Sequence, residues 1–425
     1  MNKTNGYLNT LAICLCLLII IPSCSEEPQS IERKFGEPNG SELRESESAL
    51  FLEQLQSTAE DERQSLIETF LKENQNSPII ENNLACFYWY GNAEQVLING
   101  DLQNAWLVPD TMNSISCGEN TFFYKFYSLV SDTRLDYTYQ IHGTVITDPR
   151  NQILVPSGFG YHSQLAMPGF NPDSIRVYNP FAEKGSLDTV IIQSTVEKIE
   201  PREIAVYTPP EFDQLFNLPV VFVIDGFKAL EYCSYQNVLD NLIHLKKISP
   251  AVVVFVDYKE SDGDLFINDP STYINFICDE LLPVIEKDYK LSNSVNNRVI
   301  CGISAGGQTA VLTALMRPDK FLHAAGQSTT LTENLLETIH SLSKDKVKHY
   351  RYKLYLDVGR YDLLRGGFND YPFLYANQLI SRKLKELGIE HSFRIYNDGH
   401  EWANWRERTD DILTYFLNTK ETGEL

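Results

Sequence analysis

The chain has 425 residues, 43% of them hydrophobic, which is enough for a large packed core and more than one domain. Its formal charge of −21, with no long basic run, argues against binding nucleic acid or an anionic lipid surface through electrostatics. Cys86, Cys117, Cys233, Cys278 and Cys301 are scattered without metal-ligand spacing, and their odd number argues against a full disulfide framework. Cys86 and Cys117 are a candidate pair in an oxidising compartment, with buried free thiols as the alternative.

At the N-terminus Lys3 precedes an apolar run from Leu11 to Ile21, too short for a comfortable membrane span but suited to the core of a signal peptide over residues 1–23. Ile21-Pro22-Ser23-Cys24 resembles a bacterial lipobox, despite its proline, and Ser25-Glu26-Glu27 resembles a surface-export signal of lipoproteins. This implies lipidation at Cys24 and an outer-membrane anchor on the periplasmic or cell-surface side; an ordinary cleaved signal peptide is the alternative. Residues 24–47 are rich in Ser, Glu, Pro and Gly, so a flexible tether is expected. Apolar spacing within 48–80, such as Leu66, Phe70 and Leu71, predicts a helical preface.

From Leu84 the pattern changes to short aromatic and β-branched runs, Ala85–Tyr90, Gln95–Ile98, Phe122–Tyr127 and Asp136–Ile141, separated by Gly, Asn and Asp. They predict an immunoglobulin-like β-sandwich which, with a loop-rich connector from Pro156 to Phe170, fills 81–173. Trp89 and Trp106 are candidates either for a sugar-stacking platform or for the sandwich core. Over 174–420, apolar runs at Pro219–Ile224, Ala251–Val256, Arg298–Cys301 and Lys353–Val358 alternate with amphipathic helices. This predicts a doubly wound α/β domain with strands buried on both faces.

Gly302-Ile303-Ser304-Ala305-Gly306 fits G-x-S-x-G between such a strand and a helix. A serine on that turn needs small neighbours, and the following helix directs free N–H groups at a developing oxyanion. Ser304 also needs a base and an orienting acid, in the chain order Ser, acid, His. His400, in the glycine-containing loop after the predicted strand Ser392–Tyr396, is the best-placed of five downstream histidines. Asp362 lies in the loop after the strand ending near Val358; Asp357, still on the strand, and Asp370 are its rivals. For the oxyanion hole the backbone N–H groups of Ala305 and Phe227 are expected, the latter in the loop after Val220–Ile224.

These residues resemble an esterase family of α/β hydrolases that includes enterochelin, feruloyl and acetyl xylan esterases. Asp225-Gly226, Glu280-Leu-Leu-Pro283, Gly302–Gly307, Arg317-Pro-Asp319 with Phe321, Gly359-Arg-Tyr-Asp362, and Gly399-His-Glu-Trp402 with Trp405 carry the likeness in order. Asn99-Gly-Asp-Leu102, Thr147–Asn151 and Ser163–Gly169 resemble the early-set N-terminal domain and connector of enterochelin esterase-like proteins. The resemblance implies a Ser304/Asp362/His400 triad without metal or organic cofactor, and a pocket lined by Asp225, Gly226, Lys259, Trp402 and Trp405. The expected partner is a small-molecule or carbohydrate ester, with membrane contact only through lipid and a homodimer left open. The loop Asp257–Asp264 departs from the basic loop of siderophore esterases and suits a polyanionic catecholate poorly, so a neutral sugar-linked ester is at least as plausible a substrate. A non-catalytic glycan-binding lipoprotein and an acyltransferase to a sugar are the competing readings.

Overall fold

The structure is a computed structural model that describes residues 36–419, except 104, 105, 107, 159, 197, 260, 261, 365–370 and the side chain of 264. The signal peptide, Cys24 and the rival acid Asp370 lie outside the described residues. Within the stretch expected to be a tether, residues 36–47 are built into the fold. Asn39 caps a helix over Gly40–Arg44 in a reciprocal capping box with Glu42. The other Glu42 oxygen accepts from Ser128 Oγ at 2.7 Å. The polar residues that suggested a tether are spent on capping and docking.

The helical preface is present as Glu47–Ser57 and Arg63–Glu73. Its apolar stripe of Leu52, Leu55, Ile67 and Phe70 packs on Tyr88, Ile115 and Phe122 of a four-stranded antiparallel sheet. A second antiparallel sheet contains Val96–Gly100, Arg134–Ile141, Leu154–Ser157 and Gly160–Ala166. Phe87 of the first sheet meets Tyr137 of the second edge to face, 4.7 Å between centroids. The hairpin Leu154–Ser157/Gly160–Ala166 replaces part of the expected loop-rich connector. Pro156, Gly158 and Gly160 suggested a loop, but they sit on the outermost strand and its turn, where such residues are tolerated. Cys86 and Cys117 are buried free thiols, so the candidate disulfide is absent.

The remaining sheet has eight strands: β1 Ser186–Ile192, β2 Arg202–Thr208, β3 Val220–Ile224, β4 Val252–Val256, β5 Arg298–Ile303, β6 His323–Gln327, β7 Lys353–Gly359 and β8 Glu390–Tyr396. Their order across the sheet is β1-β2-β4-β3-β5-β6-β7-β8, antiparallel up to the β2–β4 pair and parallel beyond it. Both faces of its central strands are buried. Val220, Phe222 and Ile224 belong to one core cluster and Val221 and Val223 to another on the opposite side. Helix α1 (Gly226–Tyr232) follows β3, and α2 (Ala305–Met316) follows β5. Further on, α3 (Phe373–Leu387) precedes β8, and α4 (Thr409–Leu417) is the last helix among the described residues. Among the described residues no helix is long and apolar enough to cross a membrane.

Candidate active site

Ser304 stands at the turn from β5 into α2 with φ 54° and ψ −117°, a conformation L residues rarely adopt. The turn is tight enough that a Cβ on Gly302 would lie 2.2 Å from the Gly306 carbonyl oxygen. Backbone bonds over-determine it: Ser304 N–H donates to Gln327 O at the end of β6 (2.9 Å), and Thr330 N–H donates to Ser304 O (3.1 Å). The Ser304 hydroxyl lies 3.5 Å from Thr330 Oγ1.

The turn 328–330 after β6 joins this elbow to the acid. Ser328 Oγ donates to Asp362 Oδ2 at 2.6 Å, while Asp362 Oδ1 meets His400 Nδ1 at 2.6 Å. Burial pushes the Asp362 carboxyl up, but the His400 charge, its hydrogen bond, and those from Ser328 and the Leu363 N–H together hold it below the usual carboxylate range. The imidazole is fixed edge-on by Phe373 (5.0 Å) and Trp405 (4.8 Å). Trp405 Nε1 in turn donates to Ser328 Oγ at 3.0 Å. The rival Asp357 has another partner: fully buried, it accepts from Arg408 Nη1 at 2.5 Å, and Arg408 also binds Asp398.

Ala305 opens α2, and Phe227 is the second residue of α1. First-turn N–H groups have no intrahelical acceptor, so both are donors available to an anion. A cavity of about 580 Å³ opens beside Ser304 and Ala305, lined by Asp225, Lys228, Tyr258 and Phe266 among others. Asp225, at φ 56°, has a buried Oδ1 without a hydrogen bond among the described residues. Burial raises its pKa to about 6, with Asp257 and Asp262 adding to the shift against Lys228. Gly226 is buried against β4, where a Cβ would come within 2.5 Å of Phe255 Cα.

Three of the expected pocket residues have other duties. Trp402 and Trp405 are buried at 8% and 5% exposure, the first against Tyr232 and the second bonded to Ser328, so both hold the His400 loop. Lys259 pairs with Asp257 at 2.7 Å. Asp262 is buried in a bidentate bridge to Arg202 (2.6 and 3.0 Å), so the loop after β4 presents less negative charge than its composition implies. Trp106 stacks on His162 at 4.2 Å. Ser328 and Thr330 were not identified from sequence: a Ser-Thr-Thr run carries no pattern until the elbow and the acid meet it.

The model of a family described as "Putative esterase" matches residues 198–416, just over half of the chain. The iron(III) enterobactin esterase of Dickeya dadantii is 24% identical over 245 residues, 54% of this chain and 54% of that protein, so the chain spans about half the length of that curated relative. An endo-1,4-beta-xylanase/feruloyl esterase of Xylanibacter ruminicola is 32% identical over 87 residues, 20% of this chain and 12% of that protein. Among solved structures, the ferric enterobactin esterase of Salmonella typhimurium superposes with a TM-score of 0.64 at 18% identity, covering 82% of this chain and 98% of that one. The enterobactin esterase of Shigella flexneri, solved in the presence of enterobactin, gives 0.63 at 17% identity, with 82% and 97% covered. At such identities the likeness establishes the α/β-hydrolase-type fold.

Proposed function

Because the chain belongs to the "Putative esterase" family, whose named relatives here are carboxylic ester hydrolases, we propose that it is a serine esterase working through an acyl-enzyme. The observation that carries this reading is the Asp362–His400 hydrogen bond, joined through the Ser328 turn to the strained Ser304 elbow. Ser304 Oγ attacks the ester carbonyl as His400 takes its proton, and the N–H groups of Ala305 and Phe227 receive the oxyanion. Collapse expels the alcohol with that proton; water, activated by the same imidazole, then releases the acid. Asp362, kept ionised, holds the imidazole tautomer and stabilises its cation.

For the substrate we propose a carbohydrate-linked feruloyl or acetyl ester, with a siderophore-type ester second. The apolar wall of Tyr258 and Phe266 suits a ring-bearing or short acyl group, and Lys228 opposite Asp225 leaves little net charge for a polyanion. The two antiparallel sheets are proposed to form an early-set β-sandwich domain, and Cys24 to carry a lipid anchor to the outer membrane. The test is turnover of p-nitrophenyl acyl esters, followed by feruloyl, acetyl-sugar and catecholate-lactone esters. Ser304→Ala is expected to abolish hydrolysis while circular dichroism is unchanged; undiminished turnover would contradict the assignment.

A further inference from the structure

A second cluster of chemistry-bearing side chains lies where the antiparallel sheet meets the loop carrying His400. Asp136, on strand Arg134–Ile141, pairs with Gln164 across the ladder, so His162, two residues from Gln164, is its diagonal neighbour on the same face. Glu401 comes from the loop after β8. One ligand atom from each of these three buried residues lies within 4.8 Å of the others. Ligands about 2.0–2.2 Å from a shared ion stand about 3–4 Å apart, so a small contraction brings these three atoms within reach of one ion, with the fourth tetrahedral position left to water.

The hydrogen bonding of the cluster is unfinished. His162 Nδ1 is 3.7 Å from Asp136 Oδ2, and neither atom has a hydrogen-bond partner among the described residues. The Asp136 side chain is fully buried and that of His162 only 8% exposed. His162 Nε2 meets Ser157 Oγ at 3.3 Å, so the tautomer that donates there turns the Nδ1 lone pair into the cluster. Asp101 lies alongside, with Oδ2 accepting from the Asp136 N–H (2.9 Å) and Asn404 (3.3 Å) and Oδ1 without a hydrogen bond among the described residues. Three carboxylates thus face one guanidinium, Arg134, which reaches Asp136 at 2.5 Å and Asn404 at 2.6 Å. Two negative charges are left over when all three acids ionise.

We propose that Asp136, His162 and Glu401 bind a divalent first-row transition ion, Zn²⁺ in the first instance, as a structural clamp. One imidazole with two carboxylates suits such an ion better than Ca²⁺ or Mg²⁺, which take oxygen ligands. The ion ties the loop residue next to His400 to two strands of the antiparallel sheet, and the ester chemistry does not pass through it. Backbone and side-chain bonds already join the same parts: Arg134 N–H donates to Asn397 O (3.1 Å), and Asn397 Nδ2 donates to Asp132 (2.7 Å).

The full-length protein, stripped with EDTA and returned to ZnCl₂, is expected to retain close to one zinc per chain by elemental analysis after desalting. Its melting temperature should rise by several degrees with zinc and not with CaCl₂ or MgCl₂. His162→Gln and Glu401→Gln should each lose the bound zinc and the zinc-dependent rise. Should a substitution prevent folding, the metal-specific melting of the wild-type chain decides alone. Zinc retention equal to that of His162→Gln, or a melting temperature indifferent to zinc, would overturn the proposal.

Discussion

Asp362 and Asp357 are five residues apart and both buried, yet they do different work. Asp362 stands between the imidazole and the Ser328 hydroxyl, so its charge is delivered to the ring. Asp362→Asn is expected to leave the fold intact and to lower kcat by about 10⁴-fold through the wrong imidazole tautomer, as steady-state kinetics would measure. Asp225 gives a test of sign. Its folded pKa is raised to about 6 from an ordinary carboxylate value. The native state therefore holds the proton more tightly than the unfolded chain, and the group's contribution to stability falls as pH rises from about 4 to 6. Asp225→Asn removes that penalty and suits the positive φ. Its stability relative to wild type should be unchanged near pH 4 and about 1–2 kcal/mol higher at pH 7.5, screening of a partly exposed group included. Urea melts at the two pH values measure this.

At the scale of elements, Arg408, just ahead of α4, ties the end of β7 through Asp357 to the loop after β8 through Asp398. Asp357→Asn strands part of a buried guanidinium charge, so a loss of about 3–5 kcal/mol in stability is expected, with kcat in the surviving folded fraction reduced far less than by Asp362→Asn. Denaturant titration alongside kinetics separates the two effects. The elements themselves were unequally legible in the sequence. The valine-rich runs of β3 and β4 are buried on both faces and announce themselves, and the elbow is legible because its tight backbone requires small residues at Gly302, Gly306 and Gly307. By contrast, β6, His323-Ala-Ala-Gly-Gln327, reads as no strand at all. It is small because α2 lies against it, and a Cβ on Gly326 would fall 2.3 Å from Thr329 Oγ1. Trp402 and Trp405 carried the family likeness but not their role, since an indole that packs a loop and one that stacks on a ligand are the same letter. Ser328, and the trio Asp136, His162 and Glu401, come from separate elements with no spacing to betray them.

Over the whole molecule, the α/β sheet supplies the strained serine, and the antiparallel sheets brace the loop that brings the histidine. Arg134, Asn397 and Asn404 are the joints, so the N-terminal half acts on the site through the position of His400. The central claim is that Ser304 is a nucleophile activated by His400. Its most direct test is intact-protein mass spectrometry after reaction with a fluorophosphonate probe, followed by peptide mapping. The account predicts one adduct per chain, located on Ser304, absent in Ser304→Ala and strongly slowed in His400→Ala; no adduct on the folded wild-type protein, or an adduct on another residue, would contradict it.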